Sequence, residues 1–407
     1  AEARPALCSP RGPTTNGSMK RAFASSALAL SIVACGSSPP PEPMPKVVIP
    51  VAPPPAPWAA QRPARPREPS PEEKKKAEAR AQLEKDRAAM LAAHKAELER
   101  WTPELREAAK ALASKDYPTG RAAIQAALAS KHRRPGHAER DKYRRAAETM
   151  DFFGFKPTMT VLEYGPGEGW YTELLAPALA KKGKLVVTMG DPDGPKDERG
   201  TYYAERTKLL LESAPEIYGK VEKVIVDGKA PKLPMKGTLD MALVIRGAHG
   251  MQNSGALAAW LSEIHDALRP NGVLGVVAHR AKADANAEES SKKGYLPEKW
   301  LVEKVEAAGF KLAGKSELNA NPKDTKDYEA GVWALPPTLT NGDADRDKYT
   351  AIGESDRMTL KFVKVAAKKA DEKKPEEKKA EPKKDAPGAA PAKPAEPKKA
   401  EPAKPAK

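Results

Sequence analysis

Thr160 to Thr172 reads TVLEYGPGEGWYT. Val161 and Leu162 are strand formers, with the turn-prone Lys156 and Pro157 before them and glycine after. Trp170 to Leu179 then repeats apolar residues at helical spacing, so the stretch reads strand, glycine turn, helix. Glycines at 165, 167 and 169 let the backbone turn tightly and come close to a ligand where a Cβ would collide, and the amides opening the next helix suit a polar or anionic group. The dinucleotide fingerprint needs its third glycine where this chain has Trp170, and it spaces the last two differently. A tight strand-to-helix turn without a ligand is the plain alternative.

Around this stretch the composition points to one good core. The chain has 407 residues, 41 of them proline, and only 5% aromatic residues; with a mean hydropathy of -0.63, much of it buries little. The formal charge of +15 favours anionic partners, but it is spread along the chain, which argues against a focused basic groove. Residues 1–35 read as pre-start residues plus a signal. Met19, Lys20 and Arg21 form a charged start, Ala22 to Val33 a short apolar run, and Ile32 to Cys35 a small-residue cleavage box. This resembles a bacterial lipoprotein signal with Cys35 as the lipidated residue. It implies a membrane anchor and a location on the bacterial cell envelope, facing the periplasm, or in the cytoplasm if the signal is unused. The apolar run is shorter than the roughly 20 residues of a spanning helix. A chain processed at Cys35 keeps no free thiol, so disulfides, Cys-ligated zinc and cysteine nucleophiles drop out, and no metal site is expected.

Residues 36–71 form a proline-rich linker and 72–135 a helical extension. Leu91, Leu98, Leu105 and Leu112 repeat every seven residues, but Thr102 and Pro103 make a cap and a first helical position, so two helices are expected. Arg133, Arg134, Arg140, Arg144 and Arg145 read as a solvated helix face. The tail 365–407 repeats lysine pairs and Pro-Ala-Lys units, a disordered composition.

Between these flanks strands alternate with helices: Lys184–Met189, Val221–Val226, Met241–Ile245, Val273–Val277, Phe310–Leu318 and Met358–Val363 read as strands, while Tyr202–Leu211, Leu257–Leu268 and Trp300–Ala308 read as helices. Arg269 to Gly272 reads as a turn. The alternation predicts an α/β, Rossmann-like sheet of seven strands with ligands at the strand carboxyl ends. Here the residues resemble a class I S-adenosylmethionine (SAM) dependent methyltransferase. The likeness lies in the acidic strand end and GxGxG loop, Asp191 ending strand two, Asp227 after strand three, and ALRPNG before strand five. GWYTELLAP, GVLGVVAHR, NANPKDTKDYEAGVWALPP and AIGESDRMTLKFVK resemble, more narrowly, a family of predicted bacterial methyltransferases that often carry export signals. The likeness spans residues 136–364. It implies a mostly parallel sheet whose last strand runs antiparallel between strands five and six. SAM would lie on Gly165, Gly167 and Gly169 with Glu163 beneath, its ribose on Asp191 and its adenine amino group near Asp227.

Methyl transfer asks an enzyme to align nucleophile and methyl group and to exclude water, and only a protonated nucleophile also needs a base. His249, just past strand four in VIRGAHGM, is the candidate base, its near-neutral pKa suiting the task. Arg246 is the candidate for orienting an anionic substrate group. His279 and Arg280 are second choices. The segment from Asn319 to Arg357 is too long for a hairpin loop and reads as a lid, with Asp324, Asp327, Tyr328 and Trp333 as its contacts; the lid and the N-terminal helices would shape the substrate pocket. Nucleic acid ranks low, because no Asn-Pro-Pro-aromatic tetrad follows strand four and no cysteine is left to attack a pyrimidine. A small-molecule or envelope substrate remains. The alternatives are a noncatalytic lipoprotein module that keeps the fold, and an NAD-dependent oxidoreductase, which Trp170 disfavours.

Overall fold

A reciprocal cap opens the described chain. The Ser70 hydroxyl accepts from the Glu73 amide at 3.2 Å while the Glu73 carboxylate accepts from the Ser70 amide at 2.6 Å, and α1 follows over Pro71–Arg100. The structure, a computed structural model, describes residues 67–365. Cys35, most of the proline-rich linker and the tail from 366 onward lie outside the described residues. Thr102 then accepts from the Leu105 amide at 3.3 Å with Pro103 in the first turn, so α2 (Pro103–Ser114) starts afresh and the seven-residue leucine beat is split between two helices. Leu91 and Leu98 on α1 point outward, whereas Leu105 and Leu112 on α2 pack on the core. The short helices α3 (Gly120–Ala129), α4 (Asp141–Arg144) and α5 (Ala146–Phe153) lead into the sheet.

The strands are β1 (Thr160–Glu163), β2 (Lys184–Met189), β3 (Glu222–Ile225), β4 (Leu239–Ile245), β5 (Leu268–His279), β6 (Phe310–Ser316) and β7 (Arg357–Lys364). They lie in the order β3-β2-β1-β4-β5-β7-β6. The first five run parallel, and β7 is antiparallel to both its neighbours, β5 and β6. The fold is therefore the expected α/β sheet of seven strands, Rossmann-like, with its last strand reversed. After β1 come α6 (Thr172–Leu179), α7 (Arg199–Ser213) and α8 (Pro215–Tyr218); after β4 come α9 (Ala248–Asn253), α10 (Leu257–Ala267), α11 (Ala287–Lys292), α12 (Glu298–Ala307) and α13 (Arg346–Ile352). Two apolar layers cover the sheet. Phe153, Leu174, Leu175 and Leu210 lie in one, Trp260, Ile264, Leu301 and Phe362 in the other. Strand order reverses between β1 and β4, and at such a switch point the loops leaving two neighbouring strands part in opposite directions and open a crevice.

Two expectations need correction. Arg269 to Gly272 are part of β5 rather than a turn before it: Leu268 pairs with Leu239 and Val273 with Met241, so four residues oppose one, a bulge turned by Asn271 at φ 62°. The basic residues do not form one solvated face either. Arg133 is buried with its Nη atoms on Asp141 (2.7 and 2.8 Å) and Nε on Glu173 (3.0 Å), and Arg144 is buried against Glu354 (3.1 Å). Each has found a carboxylate, without which a guanidinium would stay in water.

Candidate ligand-binding site

The turn after β1 separates its three glycines by their surroundings. Gly165, Gly167 and Gly169 all have positive φ, at 49°, 64° and 82°. A Cβ on Gly165 or Gly167 would meet nothing within 4 Å, while one on Gly169 would lie 2.1 Å from a Leu210 methyl. The first two border open space and the third allows α7 to pack. The Gly165 amide donates to Thr188 Oγ1 at 3.1 Å, tying the turn to β2.

Glu163, beneath the turn, is buried and accepts from Thr172 Oγ1 at 2.8 Å. Burial pushes its carboxyl up to about 7, against the pull of that hydrogen bond. Because the folded state holds this proton more tightly than the unfolded chain does, the group's contribution is whole below the ordinary carboxylate pKa and is lost as pH rises through about 7. Between about pH 5 and about pH 9 the chain should lose up to about 3 kcal/mol from this group. Glu163→Gln is expected to abolish that loss. Urea midpoints at the two pH values decide it, and parallel losses in both proteins would refute the assignment.

Facing the turn across the switch point is a cavity of about 280 Å³. Gly165 and Gly167 line one side; Arg246, Gly247 and His249 after β4, with His279 at the end of β5, line the other; Trp333, Pro336, Pro337 and Glu354 close it. Arg246 adopts φ 57°, a strained value for a side chain of its size, held by its amide donating to Val277 O at 2.6 Å. Its guanidinium has no hydrogen bond or ion pair to any described residue, and it also lines a smaller pocket with Arg144 and Trp170. Burial lowers its pKa.

His249 corrects the near-neutral base. Burial first, and then the Arg246 charge, bring it down to about 4. It is a neutral imidazole at ordinary pH, with ring centroids 5.7 Å from His279 and 6.0 Å from Trp333. His279 shares a 2.5 Å hydrogen bond through Nδ1 with Ser355 Oγ, and burial holds its pKa well below the ordinary value. Arg280 is bound up with Glu298 (3.0 Å), Glu317 (2.8 Å) and Asp356 (3.4 Å) and does not line the cavity.

The remaining candidates are distributed as follows. Asp191 and Asp227 are exposed beyond the carboxyl ends of β2 and β3, where each accepts from an amide two residues on, Asp193 N and Lys229 N, both at 2.9 Å. Trp260 Nε1 donates to Gly228 O at 2.9 Å and steadies the second of these turns. Neither carboxylate lines the cavity. In the 319–357 segment only Trp333 of the four candidates reaches it. Asp324 is buried, accepting from Tyr295 Oη (3.1 Å), the Asp356 amide (2.8 Å) and the Lys326 amide (3.0 Å), which makes it an anchor of the segment. Tyr328 packs edge-on against Tyr349 and accepts from the Thr325 amide, while Asp327 is exposed and accepts from Thr325 Oγ1. Sequence reasoning missed Glu354 and Glu168, which line the cavity, and Arg144 in the smaller pocket beside it. No local pattern marks them, since their partners lie far along the chain. Among the described residues no group of three or more His, Cys, Asp or Glu is placed to hold a metal ion.

No protein-family profile matches the chain, and no curated protein matches it. Solved structures similar to it include a SAM dependent methyltransferase from Aquifex aeolicus, at 17% identity and TM-score 0.36 over 56% of this chain and 93% of that one. A SAM-dependent methyltransferase from Methanosarcina mazei is similar at 12% identity and TM-score 0.35, over 54% and 97%. The cyclase SpnF is similar at 17% and 0.35, over 55% and 81%. Likeness at this level brings no residue's role and no activity to this chain.

Proposed function

We propose that this chain is a SAM-dependent methyltransferase whose acceptor is a small molecule carrying an anionic group. One observation supports this above the rest: a glycine turn with open space beside it faces, across the switch point of the sheet, a half-buried guanidinium with no hydrogen bond or ion pair among the described residues. The reversed β7 between β5 and β6 is the topology that the sequence resemblance implies. The residues present suit the cofactor. Gly165 and Gly167 leave its space free of any Cβ, and Asp191 and Asp227 offer exposed carboxylates at the next two strand ends for ribose hydroxyls and an adenine amino group.

Bound SAM supplies a methyl group on a positively charged sulfur. Arg246 holds the acceptor's anionic group by charge-assisted hydrogen bonds. His249, neutral, accepts a hydrogen bond from the acceptor's nucleophilic O–H or N–H, aligns it, and takes its proton as the bond to the methyl carbon forms, passing it on to water. Trp333 and the Pro336–Pro337 pair wall the cavity and exclude water. The test is calorimetric titration of SAM, S-adenosylhomocysteine and NADH into the full chain and into Gly167→Val. Micromolar binding of the first two, lost in the variant, is the expected result. Binding of NADH in preference, or of none of the three, would overturn the proposal.

A further inference from the structure

A second cavity, about 560 Å³, lies apart from the one at the glycine turn. It lies between α1, α7 and the Arg134–His137 stretch, and its size is that of a small-molecule pocket. Ala89, Met90, Ala93 and Leu209 give it an apolar wall. Its charges are unevenly matched. Asp86 is taken by Arg199, Glu97 by Arg100 (2.6 Å) and Trp101 Nε1 (2.8 Å), and Glu168 by Arg140 (3.0 Å). The cations are less well provided for. The Arg134 side chain has no ion pair or hydrogen bond among the described residues. Arg206 lies over the rings of Tyr202 and Tyr203, its nearest carboxylate being Glu168 at 3.9 Å, and its Nε has no partner. His94 presents an imidazole whose Nδ1 has no partner either.

We infer that this cavity is a second ligand site, for a small amphipathic anion: an apolar body against α1 with one carboxylate or sulfonate on Arg134 and Arg206. An apolar wall alone would accept any hydrophobe. Cations whose neighbouring carboxylates are already engaged add a preference for negative charge, because a desolvated guanidinium gains most from an anionic partner. Glu168 and Arg206 line this cavity and the one at the glycine turn alike, so the same two side chains feel a ligand in either place. The inference is independent of the methyltransferase reading, and its test requires no SAM.

The probe is anilinonaphthalene sulfonate, titrated by fluorescence into the full chain, with octanoate and octanol as competitors. Saturable binding of one probe per chain is expected, displaced by octanoate and not by octanol. Arg134→Gln should weaken it about ten-fold, the loss of one charge-assisted contact. Ala93→Phe, which fills the cavity from α1, should remove it, and circular dichroism shows whether each variant is folded. If Ala93→Phe does not fold, Arg134→Gln and the two competitors still decide. Affinity unchanged in Arg134→Gln, octanol displacing as well as octanoate, or no saturable binding would each overturn the inference.

Discussion

Glu354→Gln is expected to cost about 3–5 kcal/mol of folding stability, since it leaves buried cations unpaired. Glu354 is 3% exposed and stands between two arginines exposed by 2% and 3%. Its Oε1 accepts from Arg144 Nε at 3.1 Å and its Oε2 from Arg357 Nη1 at 2.8 Å. Burial, then the charge of Arg246, brings Arg144 down to about 9, which still leaves it charged at neutral pH. Its guanidinium lies 4.7 Å from the centre of the Trp170 ring, and Arg357 reaches Tyr143 O at 2.8 Å, so neither side chain can swing into water without unpacking the residues around it. Glutamine keeps the shape and removes the one carboxylate that, among the described residues, both arginines contact directly. Urea is the denaturant to use, because guanidinium would screen the effect under study. Adding Arg144→Met should recover part of the loss, as apolar replacements of buried ion pairs do. A loss below about 1 kcal/mol would mean that water or some other group already serves these cations.

That cluster also shows why the site was only partly legible in the sequence. The glycine turn, the Thr102–Pro103 break and the strand alternation are local signals, each set by a few adjacent residues, and the sheet follows from them once β7 is placed. Glu354 meets Arg144 across 210 positions and Arg133 meets Glu173 across 40, separations at which spacing says nothing. Composition therefore suggested solvated arginines where the fold supplies buried partners. His249 was found by its position after β4, but its titration depends on how much of the 319–357 segment covers it and on Arg246 beside it, and neither can be read from VIRGAHGM. Asp324, Asp327, Tyr328 and Trp333 looked alike as polar or aromatic residues of one loop. Only the folded segment distinguishes the anchor, the exposed carboxylate, the packed ring and the one side chain that reaches the cavity.

The second large effect is expected at Gly169, the least ligand-like of the three glycines. Gly169→Ala should lose about 2–4 kcal/mol: about 1–2 for an L-residue at a left-handed backbone position and the rest from overpacking. The new Cβ would lie 2.1 Å from one Leu210 methyl, 3.1 Å from the other and 3.2 Å from Cγ, so turning a single methyl aside does not relieve it. Leu210 is 1% exposed, and α7 would have to move as a body. Gly167→Ala carries only the backbone strain, about 1–2 kcal/mol, since its Cβ would project into open space. Urea unfolding of the two variants, with SAM titrated into whichever remains folded, separates the roles. A larger loss at Gly167 than at Gly169 would mean that the turn is held by contacts other than α7. The expected pattern, stability lost at 169 and affinity lost at 167, follows from which side of the turn each Cα faces. One side carries the weight of the helix layer, and the other is left clear for whatever binds above the sheet.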